Sequence, residues 1–301
     1  MDAQVDHYHI DKARVRASFG RAASSYDAAA ILQKQVREEM LSRLDWVTLN
    51  PETILDAGCG TGAASHALRK RYAGAQVLSM DFALAMLQKT RERGFFARLL
   101  MQFQGLIGRP RHHVLCADLE RLPLANNSID LLWSNLAMQW CNDLDATFSE
   151  CHRVLRPQGL LMFSTFGPDT LKELRAASHA YPGVTSVSRF IDMHDIGDAL
   201  IRAGFSAPVL DVERYTLTYD DIKSLMRDLK NIGAHNATDG RARGLLGRGF
   251  LEKLAAGYEA FRADGKLPAT YEVVYGHAWR AEDKPVLADG VSPIAFRTRA
   301  K

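Results

Sequence analysis

The chain lacks most of the features that mark metal-binding, secreted or membrane proteins. It has only four cysteines among 301 residues. None of them forms a C-x-x-C pair, so the sequence indicates neither a zinc site nor a disulfide framework. It also has no apolar run of 18 residues and no signal peptide. We therefore expect a cytoplasmic protein without a bound metal and without a membrane contact.

Charge is also nearly balanced along the chain. The formal net charge is +3, which does not by itself indicate a nucleic-acid partner, and we expect none. Hydrophobic residues make up 47% of the sequence, which is too many for a disordered chain. The length suits one large α/β domain with additions, or two small domains.

A glycine-rich turn is the most informative feature that is present. Residues 54–62 read ILDAGCGTG, and an apolar helical pattern follows at 63–68. Glycine lets a backbone approach a ligand closely, often with positive φ. The N-terminus of the following helix offers free N–H groups and partial positive charge. This segment predicts a turn that binds a nucleotide-type cofactor.

The glycine spacing alone leaves the identity of the cofactor open. Gly58, Gly60 and Ala63 fit the dinucleotide fingerprint, with Asp81 as its ribose-binding acid. Asp56 argues against a dinucleotide, because it would lie close to the pyrophosphate and like charges repel. A P-loop is excluded because no lysine follows the glycines. S-adenosylmethionine has no phosphate and carries two cationic groups that a carboxylate attracts, so we predict it as the cofactor.

Two more predicted strands, at 76–80 and 113–117, are followed by acids. Asp81 can accept hydrogen bonds from the ribose hydroxyls, and Asp118 can accept one from the adenine amino group. Open α/β sheets bind ligands at the carboxyl edge, where these acids would meet. The combined pattern over roughly residues 50–165 resembles class I S-adenosylmethionine-dependent methyltransferases. The resemblance implies seven cofactor-binding residues: Asp56, Gly58, Gly60, Gly62, Asp81, Asp118 and Leu119.

Alternating strand and helix patterns predict an α/β fold with a doubly wound, seven-stranded, mostly parallel sheet, N-terminal helices and a helical cap insertion. The other strands are predicted at 53–57, 129–134, 160–166 and 208–217, and the helices between strands at 62–72, 83–93, 143–155 and 192–203. By the resemblance, a final strand at 269–279 runs antiparallel between strands five and six. We divide the chain into an N-terminal helical segment (1–48), a cofactor-binding core (49–218), a cap (219–266), the final core strand (267–280) and a tail (281–301).

Two segments between the predicted elements are additions to the minimal α/β fold. Residues 94–111 are apolar with flanking arginines, and we expect a helix packed on the sheet rather than a membrane-surface helix. Residues 167–190 are rich in Pro, Gly and Ser and predict a loop or partial helix beside the site.

The substrate side has few acid–base residues near the motifs. Methyl transfer requires a general base only when the acceptor starts protonated. No His/Asp pair stands out, which favours an acceptor that is already anionic, such as a carboxylate. Asn135, Gln139 and Trp140 follow the fourth strand and are predicted to line the pocket. A turn role for Asn135 and a core role for Trp140 stay open.

Four segments carry a closer resemblance. SFGRAASSYD (18–27), SNLAMQWCND (134–143), 228–236 and 267–279 are similar to malonyl-acyl-carrier-protein O-methyltransferases. This implies methyl transfer from S-adenosylmethionine to the free carboxylate of malonyl-acyl carrier protein, or malonyl-CoA. The product would start pimeloyl synthesis for biotin.

The resemblance also implies roles for individual residues. Tyr26 would close over cofactor and substrate and form the catalytic set with Asn135 and Trp140. The predicted substrate-binding residues are Arg21, Gln139, Arg189 and Lys230. Acyl carrier protein is acidic, so a basic cluster in the cap is either a steering patch for it or a solvated helix face: Arg241, Arg243, Arg248 and Lys253.

Three other functions remain open at this point. The same motifs also resemble a complex I assembly factor of mitochondria that is described as an arginine hydroxylase. The chain could instead bind S-adenosylmethionine without catalysis, or methylate a small free acid.

Overall fold

The computed structural model describes residues 9–103, 112–178, 187–234, 237–238 and 248–282. The predicted cluster residues Arg241 and Arg243, and the tail beyond residue 282, lie outside the described residues.

Three helices precede the sheet. They are α1 (Lys12–Ala22), α2 (Tyr26–Ala29) and α3 (Ile31–Arg43). Asp11 caps α1 by accepting a hydrogen bond from the Arg14 backbone N–H at 3.0 Å. A turn over residues 23–25 separates α1 from α2.

The sheet has seven strands in the order β3-β2-β1-β4-β5-β7-β6. The strands are β1 (Thr53–Ala57), β2 (Gln76–Asp81), β3 (His112–Cys116), β4 (Ile129–Asn135), β5 (Leu155–Phe166), β6 (Phe205–Tyr219) and β7 (Leu267–Arg280). β7 is antiparallel to both of its neighbours, and every other pair is parallel. The predicted place and direction of the final strand are thus confirmed.

Helices cover both faces of the sheet, as the doubly wound prediction requires. They are α4 (Ala63–Arg71), α5 (Leu84–Phe103), α6 (Leu144–Val154), α7 (Lys172–Ser178), α8 (Met193–Arg202), α9 (Ile222–Asn231) and α10 (Arg248–Glu259). Side chains of β4 alternate between two buried clusters: Leu131 and Trp133 belong to one, and Leu132 to the other. This alternation is the period of two that a strand imposes.

Three predicted boundaries were wrong. The fifth strand begins at Leu155 rather than residue 160, because Leu155 already pairs with Ile129 of β4. The helix expected to end at residue 93 continues to Phe103 as one 20-residue helix, because an isolated glycine such as Gly94 costs a helix only about 1 kcal/mol. The sixth strand runs from Phe205 rather than residue 208, because it pairs with β7 along nearly its whole length. Among the described residues, no helix is both long and apolar enough to cross a membrane.

Candidate functional site

The glycine turn after β1 packs tightly against two neighbouring strands. The backbone N–H groups of Gly58 and Cys59 both donate to the Met80 carbonyl at 2.8 Å. Gly58 has φ +77°, and a Cβ there would lie 2.3 Å from the Cβ of Ala137. A side chain at this position would therefore push the turn away from the end of β4. The predicted need for glycine at residue 58 follows from this contact.

Asp81 joins the end of β2 to the glycine turn. Its buried carboxylate accepts hydrogen bonds from the backbone N–H of Gly60 at 2.9 Å and of Ala83 at 2.8 Å. Burial raises the pKa of Asp81 to about 6, against the opposing effect of these backbone donors. The carboxylate thus fixes the turn and also lines the cleft beside it.

Asp56 lies deeper, under the same turn. The Ser65 hydroxyl of α4 donates to its carboxylate at 2.5 Å. Burial raises the pKa of Asp56 to about 7, although the hydrogen bonds from Ser65 act in the opposite direction. A nearby cationic ligand group would favour the ionised form.

A cleft lies at the carboxyl ends of β1, β2, β3 and β4. We call it the cofactor cleft. The structure brings eight of the predicted site residues together there: Tyr26, Gly58, Gly60, Asp81, Asp118, Leu119, Asn135 and Trp140. Gly62 does not line it; with φ +81° it forms the N-cap of α4.

The Phe19 side chain of α1 lines the cofactor cleft and packs against three other aromatic side chains. The Phe19 ring centroid lies 5.4 Å from that of Trp140, 6.2 Å from Phe82 and 6.4 Å from Tyr26. Such tilted and edge-to-face pairs are favourable beyond their buried area. Burial, followed by the charge of Asp81, raises the pKa of Tyr26 well above its ordinary value. The Tyr26 hydroxyl is therefore a hydrogen-bond donor at neutral pH.

Lys12 ties α1 to the far end of the same cleft. Its ammonium donates to the two carboxylate oxygens of Asp118, at 2.7 and 2.6 Å, and to Glu120. Burial lowers the pKa of Lys12, but hydrogen bonds and charges from both acids outweigh it and raise the pKa overall. An adenine amino group would share Asp118 with this lysine.

The end of β4 has a constrained backbone. Leu136 has φ +49°, which is uncommon for a residue with a branched side chain. Its backbone N–H donates to the carbonyl and hydroxyl oxygens of Ser164. The Asn135 side chain donates to the Gln33 carbonyl and accepts from Ser164, both at 3.1 Å. Asn135 thus joins the end of β4 to β5 and to α3.

A second pocket, which we call the inner pocket, adjoins the cofactor cleft. Both share Tyr26, Gly58, Gly60 and Asn135. The inner pocket adds Asp56 and three residues of α3: Gln33, Lys34 and Arg37. The Gln33 Oε1 atom is buried and has no hydrogen-bond partner within the part of the chain that is described. A buried acceptor of this kind calls for a donor, and the pocket beside it can admit one from a ligand.

The remaining predicted residues lie elsewhere. Gln139 and Arg189 line a wider outer cleft, and Cys141 lines both this cleft and the cofactor cleft. Gln139 also donates to the Leu136 carbonyl at 2.7 Å. Arg21 and Lys230 line neither cleft nor the inner pocket. Both are exposed, and Arg21 donates to the Ser18 hydroxyl at 3.1 Å.

Comparison with known proteins agrees with this geometry. A family described as a methyltransferase domain matches residues 55–163. A malonyl-[acyl-carrier protein] O-methyltransferase of Methylovorus sp. (strain MP688) is 65% identical over 296 residues, covering 98% of each chain. The chain belongs to the malonyl-[acyl-carrier protein] O-methyltransferase family. A family member from Laribacter hongkongensis (strain HLHK9) is 54% identical, covering 98% of this chain and 99% of the relative.

Solved structures support the fold of this methyltransferase. A putative methyltransferase from Bacillus halodurans C-125 superimposes with a TM-score of 0.55 at 15% identity, covering 82% of this chain and 99% of its own. At that identity the likeness shows the fold alone. The prediction of a class I methyltransferase sheet is confirmed.

Among the site residues that the sequence did not indicate, four lie on α1 and α3: Lys12, Phe19, Gln33 and Arg37. Only Phe19 belongs to a motif that carries the family resemblance, SFGRAASSYD, and that motif gave it no role. The other three lie on α1 and α3, at least 19 positions before Asp56. No spacing rule connects them to the glycine turn, because only the packing of these helices over the sheet brings them to the site.

Proposed function

We propose that this methyltransferase transfers a methyl group from S-adenosylmethionine to the free carboxylate of malonyl-acyl carrier protein. Its similarity to relatives with that name over 98% of the chain is the observation that carries the proposal. The product is a malonyl methyl ester, which would start pimeloyl synthesis for biotin. Both relatives are named as O-methyltransferases, so the hydroxylase alternative is not favoured.

The residues present fit the cofactor. We propose that Asp81 accepts hydrogen bonds from the ribose hydroxyls and that Asp118 and Leu119 contact the adenine. The Gln33 Oε1 atom, which has no partner among the described residues, and the buried Asp56 suit the ammonium group. Arg37 lines the same pocket and suits the carboxylate of the cofactor. When bound, the cofactor supplies an electrophilic methyl group on a sulfonium.

The chain contributes position and a dry, aromatic surrounding rather than acid–base chemistry. A malonyl carboxylate is ionised at neutral pH and requires no base. The faces of Phe19 and Trp140 attract a cationic centre and exclude water from it. The protonated Tyr26 hydroxyl can donate to one carboxylate oxygen, leaving the other free to attack. Asn135 holds the end of β4 in place through its bonds to Gln33 and Ser164.

The outer cleft is the proposed site of the acyl group. It adjoins the cofactor cleft at Cys141, and its lining mixes Phe166 and Phe190 with Gln139 and Arg189. This composition suits an acyl thioester that ends in a charged group. Arg21 and Lys230 are not included in this site. Cytoplasmic location and the absence of a nucleic-acid partner stay predictions.

A methyl-transfer assay with labelled S-adenosylmethionine tests the function. We expect labelled ester from malonyl-acyl carrier protein and none from acetyl-acyl carrier protein, which lacks the free carboxylate. Equal labelling of both substrates would exclude the malonyl carboxylate as acceptor. Free malonate and malonyl-CoA in parallel reactions distinguish a small-acid enzyme from a carrier-protein enzyme.

A further inference from the structure

Helix α9 carries three lysine and arginine side chains on one face. Lys223, Arg227 and Lys230 are spaced at i, i+4 and i+7, so they align along the helix. The opposite face is buried through Ile222, Leu225 and Leu229. All three cations are exposed, and Met226 is partly exposed at 39% beside them.

The acids near this face are committed to other groups. Asp221 caps α9 by accepting the Ser224 backbone N–H at 2.8 Å. Asp228 bonds with the Tyr219 hydroxyl, and Asp220 pairs with Lys266 at 2.5 Å. In the described ranges, none of the three cations makes an ion pair within 4.0 Å. The positive charge of α9 is therefore directed to solvent.

The C-terminal end of α9 lies against the N-terminal helices that cover the cofactor cleft. The Ser25 hydroxyl donates to the Asn231 carbonyl at 3.1 Å. Gly233 has φ +74°, and a Cβ there would lie 3.0 Å from the ring of Phe19, which lines the cofactor cleft. We call the three cations of α9 the basic face: Lys223, Arg227 and Lys230.

We infer that the basic face docks the acidic acyl carrier protein that presents the malonyl group. The inference rests on the proposed function. The net charge of the whole chain is only +3, and the three aligned cations of α9, which pair with no acid among the described residues, make this face locally positive. Such a surface increases the rate of encounter with an acidic protein. Met226 provides an apolar contact among the charges, as is common at interfaces.

The basic face lies outside the cofactor cleft, so docking of the carrier can be separated from binding of the malonyl group. It adjoins the cofactor cleft through Phe19 but contributes no charge to the cleft wall. Recognition of the carrier and binding of the malonyl group are then separate. Reversal of its charges should impair reaction with the carrier-bound substrate and leave a small malonyl thioester unaffected.

The test compares two doubly substituted proteins. The first is Lys223→Glu/Arg227→Glu. The control is Lys70→Glu/Arg91→Glu, which changes the net charge equally at exposed positions on α4 and α5. Fluorescence anisotropy with labelled holo-acyl carrier protein, which lacks malonate, measures docking without catalysis. We expect the first double variant to weaken binding at least tenfold at low salt and the control less than twofold.

Kinetics and melting complete the test. We expect kcat/KM for malonyl-acyl carrier protein to fall at least tenfold in the first double variant, and kcat/KM for malonyl-pantetheine to change less than twofold. Melting temperatures that match the wild type establish that both variants are folded. Equal binding of the carrier by the wild type and the first variant would overturn the docking surface. Lack of methyl transfer by the wild type would instead overturn the proposed function, whatever the binding result.

Discussion

Two buried carboxylates under the glycine turn control the charge of the site. Burial raises the pKa of Asp56 to about 7 and that of Asp81 to about 6. In both cases hydrogen bonds act in the opposite direction, but burial is the larger effect. The ligand-free protein therefore holds these groups partly protonated near neutral pH, and a cationic cofactor favours their ionised forms.

Replacement of Asp81 with alanine should weaken cofactor binding. The variant loses the carboxylate that we propose accepts hydrogen bonds from the ribose hydroxyls. The expected loss in binding free energy is about 2–4 kcal/mol for a charge-assisted hydrogen-bond pair. Calorimetric titration with S-adenosylmethionine measures it. Asp130→Ala is the matched control, because Asp130 also accepts a backbone N–H, that of Thr53 at 2.8 Å, but at the opposite edge of the sheet. Unchanged affinity in Asp81→Ala would remove Asp81 from the ribose site.

Asp56 should make the ligand-free protein less stable as pH rises. Its pKa is about 7 in the folded chain, against an ordinary value of 3.8. Between these values the folded state binds more protons than the unfolded state, so the free energy of unfolding falls as pH increases and levels off above pH 7. The contribution is at most about 4 kcal/mol.

Urea unfolding at pH 5, 6, 7 and 8 measures this effect in the wild type and in Asp56→Asn. The amide cannot ionise, so the stability of the wild type relative to the variant should decrease with pH. Parallel pH profiles would contradict the raised pKa. Other titrating groups are shared by the two proteins and cancel in the comparison.

The sequence predicted the residues that follow the strands and not those that approach from the helices. Asp56, Asp81 and Asp118 stand next to strand ends, and strand order alone aligns them at one edge. Arg37 and Lys12 reach the site from α3 and α1, and Lys12 meets Asp118 across 106 positions. Their contacts depend on how these helices pack over the sheet, which local sequence does not encode.

At the scale of elements, the N-terminal helices cover the cofactor cleft, and α1 makes contacts at both ends of it. Phe19 packs into the aromatic group at one end, and Lys12 bonds with Asp118 and Glu120 at the other. Loss of the Phe19 or the Lys12 contacts should therefore reduce the protection from amide hydrogen exchange along the whole of α1.

Lys12→Met should loosen α1 while preserving the length and apolar stem of the side chain. We expect faster amide hydrogen exchange over Lys12–Ala22 and a severalfold weaker affinity for S-adenosylmethionine. Lys172→Met is the control, because Lys172 is exposed on α7 and lines neither cleft nor the inner pocket. Exchange rates in α1 equal to those of the wild type would show that the Lys12 contacts are not needed to hold α1 in place.

Element boundaries were less predictable than element types. The β1 prediction matches the observed range because a short apolar run ends at a glycine turn. α5 extends ten residues further than expected, since Gly94 is an isolated break that helical neighbours tolerate. The length of β6 is set by its partner β7, whose place between β5 and β6 came from family resemblance rather than from residue pattern.

At the scale of the whole molecule, β7 completes the sheet. It pairs with β5 from Leu160 to Phe166 and with β6 along most of its length. A chain that ends at Lys266 leaves both neighbouring strands with unpaired backbone groups and exposes the cluster that contains Val273 and Tyr275. We expect that truncated chain to be insoluble or to lack cooperative unfolding by circular dichroism.

A chain that ends at Glu282 is the control for this truncation, because it keeps all of β7. Cooperative unfolding of the shorter chain would show that β5 and β6 can pair or be covered without β7.

The order of strands has a consequence for the synthesis of the protein on the ribosome. Ribosomes add about 5–20 residues per second. Because β7 begins at Leu267, it is made only after about nine-tenths of the 301 residues. Until then, the nascent polypeptide exposes two sheet edges that other proteins could bind. Chaperone protection during synthesis, rather than stability of the finished enzyme, would then limit how much of it accumulates.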